Sequence, residues 1–551
     1  MLSFHRMRKP TDKLQKRATY LGQNGIDLMQ PTPRVLERKD RWIAFGIFLV
    51  ALVVFVRTLA PDVLLGDSGE FQVMAVTGGL AHATGYPIYI AIAKLFTLIP
   101  IASIAWRVDS LSDLMGSIAV ALTFLIARQI GVRRVFAAIG AIFLMINPIF
   151  WSQSVIAEVY AISAAFFAAF ILCLLHWGHA RSAKMLLLGG ILFGACWGLH
   201  HTAVLALPAI LVYLIAKKAR GKEWAMSIGG GLIGLALAML GYFYMATNNS
   251  KTTAINSIRP SATTYNLTPE SFASTWTRID FIMNARQFAP QLSGAGQQTF
   301  DKSLGKYVDE TVPDFGWPAI ALTVLGAFTL VFSKTRWREG LLLGISWLSL
   351  FAFVVVYTAF DIEVDFILSH LLVAVFLAFG LQWLQNASIG KRETPTLKWV
   401  AAVAGVILIG IGMMGTISGA ASSFASGKPD FLKGAARNLP YPVDTPTAPH
   451  DLANSIVDAL PDNALVVTEW ENEWPIYYVA QFEKNKPGIE AIETFPMGAN
   501  GKPAQSMIEY LLAESKTRPI FATLPHQTLE PYFDFELVLP RKLFRLDPRR
   551  H

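Results

Sequence analysis

Charge is scarce in this chain. Of 551 residues only 16% are Asp, Glu, Lys or Arg, against 53% hydrophobic, where a soluble protein of this length carries roughly 25% charge. That shortage excludes an ordinary soluble globule. Cysteine is scarcer still. Cys173 and Cys196 lie inside apolar runs, where thiols are buried and inert, and no cysteine follows Gly419, which excludes a disulfide framework in the tail. No internal repeat is present, and the tail has no Gly-rich phosphate loop, so no nucleotide site is expected there. The first apolar run is not a clean secretory signal, because mostly polar residues precede it and no small-residue cleavage site follows. One further absence is local. The stretch "GDSGEFQVMAVTGGLAHATGYPIY", Gly66 to Tyr89, holds Asp67, Glu70 and His82 but no lysine or arginine.

What is present is apolar length. Trp42–Leu59 and Trp399–Ile417 have the length of membrane spans, about 18 mostly apolar residues or more. The net charge of +8 does not indicate nucleic acid, because the basic residues sit in short clusters between apolar blocks. The clusters are Arg128/Arg133/Arg134, Arg181/Lys184, Lys217/Lys218/Arg220/Lys222, Lys334/Arg336/Arg338 and Lys391/Arg392/Lys398, after a basic amino-terminal tail. Positive residues in short loops mark the cytoplasmic side, so the block between neighbouring clusters crosses an even number of times. Lys184 to Lys217 would be roughly 50 Å long as one helix, too long for a core of about 30 Å; it reads as a hairpin turning near His200 and His201. The same reasoning applied along the chain predicts about eleven spans, amino terminus inside and carboxyl terminus outside.

The fold class expected is an α-helical polytopic membrane protein with a small extracytoplasmic α/β domain at its carboxyl end. Residues 1–41 are a basic cytoplasmic tail, 42–419 the membrane domain with outer loops at 60–105 and 247–315, and 420–551 the α/β domain. In that last part "NALVVTEW", "GIEAIETF", "RPIFATL" and "FELVLPRKLFRL" read as strands, and "EWPIYYVAQFEK" and "AQSMIEYLLAES" as helices, an alternation typical of α/β layers. A Pro-rich link, "YPVDTPTAPHD", precedes it.

This topology gathers acids and histidines on the outer side. The first outer loop brings Asp67, Glu70, His82 and Tyr86; the second Glu158 and Tyr160; the third His200 and His201; the fourth Arg259, Arg278 and Arg286; the fifth Asp361, Glu363, Asp365 and His370. Ionisable groups at membrane depth cost at least about 2.5 kcal/mol each, so their convergence points to a polar cavity open outward. Asp67 and Glu70, three apart, share a helix face and suit general-base work or metal binding; alternatively Asp67 or Ser68 caps a short helix. Gly85 and Pro87 break the chain before Ile88–Leu98, too short to span and read as an interfacial helix with Lys94 reaching water. Arg107 then stands at the outer mouth of the next span.

The stretches "DSGE" (67–70), "AHATGYPIY" (81–89), "WRVDSLSDL" (106–114), "AEVYAIS" (157–163) and "GLHHT" (198–202) resemble the GT-C membrane glycosyltransferases, in particular the bacterial multi-spanning family related to a eukaryotic transmembrane protein O-mannosyltransferase. Ala83 and Thr84 stand where that family usually has two prolines. The resemblance implies a glycosyltransferase that moves a hexose, mannose, from a polyprenyl phosphate to an acceptor hydroxyl on the outer face of the plasma (inner) membrane. It implies Asp67 as base, Glu70 as its helper, and His82, Tyr86, Glu158 and Tyr160 among the substrate contacts. The lipid phosphate would face cationic donors, Arg286 first, then Arg107, His200 and His201. No metal or other cofactor is expected beyond the lipid-linked sugar, and the partners implied are the bilayer, that donor, and a protein or glycan acceptor. "TEWENEW" could add Glu469 and Trp470 to the cavity. Intramembrane acids also mark ion pathways, so a secondary transporter, or a non-catalytic assembly subunit, is the alternative.

Overall fold

A computed structural model describes residues 36–248, 254–289, 300–357, 362–386, 395–428, 445, 447–494 and 504–549. Asp361, Lys391 and Arg392 lie outside them, as does most of the amino-terminal tail.

The described chain is mostly helical, with one small sheet. Five helices are long and apolar enough to cross a membrane: Ile104–Gln129, Val159–Ala180, Gly221–Thr247, Trp337–Val354 and Ile362–Asn386. The count becomes seven if the bent pairs Leu304–Phe315 with Trp317–Val331, and Ala402–Gly412 with Met414–Ser426, are each one span. That is fewer than the eleven expected. Several predicted spans correspond to shorter apolar helices among the described residues. Arg134–Met145 stops at 12 residues because Asn147 caps a new turn, accepting from the Phe150 N–H at 2.9 Å, and Pro148 opens it. Ala183–Ala195 and Leu207–Ala216 are separated by 3-10 turns on either side of His200, where the hairpin bend is predicted. Arg38–Arg57 has 20 residues with charges at both ends.

Small residues let the helices approach closely. A Cβ on Gly190 would lie 2.4 Å from the Ser227 carbonyl oxygen, and one on Gly234 2.2 Å from that of Ile191. Ala183–Ala195 and Gly221–Thr247 therefore pack backbone to backbone, the close approach that small residues permit in lipid. The basic clusters are tied down by acids. Asp40 receives Arg128 at 2.8 Å and Arg134 at 2.7 Å, Arg181 reaches Glu223 at 2.6 Å, and Lys217 reaches Glu339 at 2.5 Å.

The carboxyl-terminal part is the α/β unit predicted. Strands β1 (Leu465–Thr468), β2 (Glu490–Glu493), β3 (Ile520–Ala522), β4 (Phe533–Leu539) and β5 (Leu543–Pro548) form one sheet in the order β2-β1-β3-β5-β4. β1 runs parallel to β2 and β3, while β5 is antiparallel to β3 and β4. Helix Ala448–Ala459 carries His450, whose Nε2 lies 2.8 Å from Glu483 and whose Nδ1 lies 3.9 Å from Asp62 and from Asp451. His450 thus clamps the tail to the segment leading into the acid loop.

Partial burial works against the His450 cation, but the bond to Glu483 and the nearby Asp62 outweigh it and raise its pKa above the ordinary 6.5. The stability this contributes is full below the unfolded value and is lost as pH rises through the raised folded value. His450→Gln should therefore melt lower than the parent at about pH 6, and the difference should vanish near about pH 9. Melting curves in detergent across that range check this; an equal gap at both ends would show that the clamp does not depend on charge.

Candidate active site

The acid helix, Gly66–Thr77, starts at Gly66 with φ +61° and ends at Gly78 with φ +68°, conformations glycine adopts without cost. Leu65 occupies the N-cap position without a side-chain bond. Asp67 and Ser68 are thus inside the helix, and the capping alternative for them is corrected. One turn of helix brings Asp67 and Glu70 onto a common side, and the loop that follows lays His82 across both.

His82 makes three contacts with the acids. Its Nδ1 bonds Glu70 Oε2, its backbone N–H donates to Glu70 Oε1 at 2.8 Å, and its Nε2 lies 3.6 Å from Asp67 Oδ2. Glu70 is fully buried, whereas the Asp67 side chain is 39% exposed, so one acid is sealed in the pair and the other faces the open side. Burial by itself would lower the His82 pKa; Asp67 and then Glu70 reverse this and raise it to about 10. Burial pushes Glu70 upward, and the His82 charge pulls against it. His82 is consequently a cation at neutral pH. The absence of lysine and arginine from this stretch did not leave the acids without a cationic partner; the partner is the histidine in the same loop.

Tyr86 extends the cluster inward. Its hydroxyl lies 3.3 Å from His82 Nε2 and donates to the Ala83 carbonyl at 3.1 Å. Tyr86 is held at φ +46°, a strained conformation for a side-chain-bearing residue, which persists only where its surroundings fix it. Those surroundings are Phe71, edge-on at 5.3 Å, and His200, parallel at 6.2 Å. His200 also packs on Tyr160 at 5.0 Å, bonds Thr202 Oγ1 at 2.7 Å, and lies 3.8 Å from Asp365. His201 points elsewhere, onto the Trp197 ring and its carbonyl at 3.0 Å. Glu158 is buried at the start of Val159–Ala180, its backbone paired with Ser112, and its charge adds to the field holding the His82 cation.

The arginines divide. Arg107 spends its guanidinium on main-chain carbonyls, Thr97 at 2.5 Å, Ile99 at 2.7 Å and Ser103 at 3.1 Å. It closes the end of the helix Pro87–Thr97, which forms where predicted, while Lys94, expected to reach water, donates to the Val76 carbonyl at 2.7 Å. Arg278 and Arg259 likewise bond the Phe272 and Pro269 carbonyls. Arg286 pairs with Asp280 and stays half exposed; two residues on, Phe288 stands edge-on to His82 at 6.3 Å. The Phe288 contact was missed in the sequence, its one signal being nearness to Arg286.

The tail enters the site directly. Trp470 Nε1 donates to Asp67 Oδ1 at 2.8 Å and its ring meets His82 edge-on at 5.8 Å. Glu469 instead accepts from Thr523 Oγ1 at 2.9 Å. Two buried acids that the sequence reading missed, Glu473 and Glu493, share Ser257, which donates to Glu473 at 2.7 Å and accepts the Glu493 N–H at 3.0 Å. Burial raises Glu493 to about 8.

Single ligand atoms of Asp67, Glu70 and His82 lie within 4.8 Å of one another, a spacing that suits a divalent ion. Both His82 nitrogens, however, already face the two carboxylates, so an ion pair accounts for the geometry as it stands.

Residues 67–223 match the family model described as Protein O-mannosyl-transferase TMEM260 N-terminal domain, a segment that opens at Asp67 and includes Glu70, His82, Tyr86, Arg107, Glu158, Tyr160, His200 and His201 but not Arg286. Over 213 residues the chain is 28% identical to the mouse (Mus musculus) Protein O-mannosyl-transferase TMEM260, covering 37% of this chain and 30% of that protein. Over 333 residues it is 22% identical to the Dictyostelium discoideum counterpart, covering 56% and 39%. The chain thus spans well under half the length of the curated relatives it matches. The fold resembles ArnT from Cupriavidus metallidurans bound to undecaprenyl phosphate, with a TM-score of 0.57, 11% identity, and coverage of 92% of this chain and 97% of ArnT. The apo form of that ArnT gives 0.53 at 13% identity. This chain is therefore similar to the TMEM260-type protein O-mannosyl-transferases over residues 67–223, and it shares the GT-C fold of ArnT.

Proposed function

We propose that this protein is a membrane glycosyltransferase that moves a hexose, mannose, from a polyprenyl phosphate to a hydroxyl of a protein acceptor. The observation that carries this reading is the Asp67–His82–Glu70 cluster, set inside the segment shared with the O-mannosyl-transferases. An acceptor hydroxyl is a poor nucleophile and gains from a carboxylate within hydrogen-bond reach. Asp67, the exposed acid, takes its proton. The acceptor oxygen bonds to the sugar's anomeric carbon as the bond from that carbon to the phosphate oxygen breaks, and the polyprenyl phosphate leaves with the electron pair. A phosphate leaving group needs no proton, so one base suffices. Carboxylates beside the reacting carbon also favour its oxocarbenium-like charge.

Glu70 has a different task from Asp67. Its carboxylate is sealed against His82, which fixes the ring beside the partly exposed side chain of Asp67. His82 and the half-exposed Arg286 supply positive charge where the phosphate departs. The main-chain bonds of Arg107 favour Arg286 over it for that role, and burial, which lowers the His200 pKa to about 3, leaves that ring a neutral group rather than the cation expected. No resident metal is part of the proposal, so transfer should survive chelation.

Asp67→Asn keeps the size and removes the base. Transfer from a polyprenyl-phosphate-linked sugar should fall about 10² to 10⁴-fold, while the protein still inserts and binds donor. Near-normal transfer by Asp67→Asn would end Asp67's role as base. Absence of transfer by the parent with any lipid-linked sugar would favour a transporter or an assembly subunit.

The orientation proposed places the amino terminus in the cytoplasm and the acid loop and tail outside the plasma membrane. Ser68 is fully buried and a poor reporter. Asn463 is exposed beside β1, and the two native cysteines are buried. Asn463→Cys should react with an impermeant thiol reagent on intact cells; reaction only after permeabilisation would reverse the topology.

A further inference from the structure

The tail helix Trp470–Tyr478 follows β1 directly, with Glu469 at its N-cap position. It rests against the acid helix at Gly69. A Cβ there would lie 2.4 Å from the Leu64 carbonyl oxygen and 3.1 Å from the Trp474 Cβ, so the backbone entering the acid helix requires glycine at this position and the tail helix packs tightly over it. Further contacts fasten the same helix from other sides. The Tyr478 hydroxyl accepts the Ala105 N–H at 3.2 Å, at the start of the span Ile104–Gln129, and Glu473 accepts from Ser257 in the long outer loop. Trp474 stands edge-on to Trp470 at 5.3 Å. The ring of Trp470 is thus fixed from behind, and its N–H is aimed at one oxygen of one carboxylate.

We propose that Trp470 is a positioning residue for Asp67: its indole N–H holds Oδ1, so that Oδ2 alone is turned to His82 and the acceptor. This rests on the transferase reading above and assigns the tail a part in it. A free carboxylate on a short side chain rotates and offers either oxygen. A single donor on Oδ1 selects one rotamer and one lone-pair direction, the kind of preorganisation on which proton transfer depends. The segment 67–223 supplies the acids and the histidine but not this donor. On this account the tail completes the site rather than covering it.

Protein labelled with 15N-tryptophan and held in nanodiscs gives indole resonances from its 14 tryptophans, and the one missing in Trp470→Phe is that of Trp470. A carboxylate accepts a stronger bond than an amide, so this resonance should move in Asp67→Asn while the others stay. Trp470→Phe keeps an aromatic ring against His82 and Trp474 and removes only the donor. Its kcat should fall tenfold or more, with the KM for the lipid-linked sugar and the melting temperature unchanged. A Trp470 resonance indifferent to Asp67→Asn, or a Trp470→Phe enzyme with full kcat, would overturn the proposal. So would a variant whose kcat and melting temperature fall while its KM rises, the mark of a packing role only. Should Trp470→Phe fail to fold, a single indole resonance shifted by Asp67→Asn still decides the matter. If the parent transfers no lipid-linked sugar, the transferase reading fails, and the resonance decides the contact alone.

Discussion

An imidazole held between two acids is the constraint on which the site depends. Glu70 has no exposed surface, and a lone buried charge costs several kcal/mol even after relaxation. His82 removes that cost by bonding both oxygens, one through its ring and one through its backbone N–H. Deleting one partner of such a pair typically costs about 3–5 kcal/mol, so the loop from Gly78 to Gly85 is held where the pair needs it. The neighbouring residues follow from this placement. Tyr86 is bent into a left-handed conformation against His82, and its ring carries the arrangement on to His200, Tyr160 and Asp365. Because Glu70 absorbs most of the His82 contact, the Asp67 side chain stays partly exposed.

The second constraint is the close contact between the acid helix and the tail helix. Gly69 provides the space, and Trp474 and Pro475 fill it. Helix Trp470–Tyr478 is thereby joined to the acid helix, to the span beginning at Ile104 and to the long outer loop. Its position just after β1 is telling. In α/β units with parallel strands, functional groups gather beyond the carboxyl ends of the strands. Thr468, Glu469, Trp470, Glu493 and Thr523 all sit at those ends of β1, β2 and β3, and it is that edge of the sheet which meets Asp67.

Much of this was legible in the sequence, for physical reasons that differ by element. The convergence of Asp67, Glu70, His82, Tyr86, Tyr160 and His200 was readable because acids and histidines in an apolar chain are expensive. The short helix Pro87–Thr97 was readable because Pro87 opens it. The sheet was readable from short β-branched runs. The bend at His200 was readable because the block from Lys184 to Lys217 is too long for one span, whereas the stop at Asn147 and Pro148 was not, since apolar length alone would continue that helix. The pairing of His82 was hidden because a histidine's charge is set by neighbours that only folding supplies. Reading the stretch from Gly66 to Tyr89 as free of cations counted residue types where proximity decided. Arg107 showed the opposite failure, since its guanidinium serves three backbone carbonyls that no spacing pattern reveals. Trp470 was within reach as part of "TEWENEW", but its bond to Asp67 spans 403 positions.

The central claim is that the sugar is transferred at the Asp67–His82 edge of the outer cavity. A cryo-EM structure of the protein in nanodiscs with a non-hydrolysable polyprenyl-phosphate sugar tests it most directly. The account predicts the anomeric carbon beside Asp67 Oδ2, with the phosphate facing His82, His200 or Arg286. A phosphate bound at the opposite end, near Arg128 and Arg134, with the cavity above Asp67 empty of sugar, would contradict it.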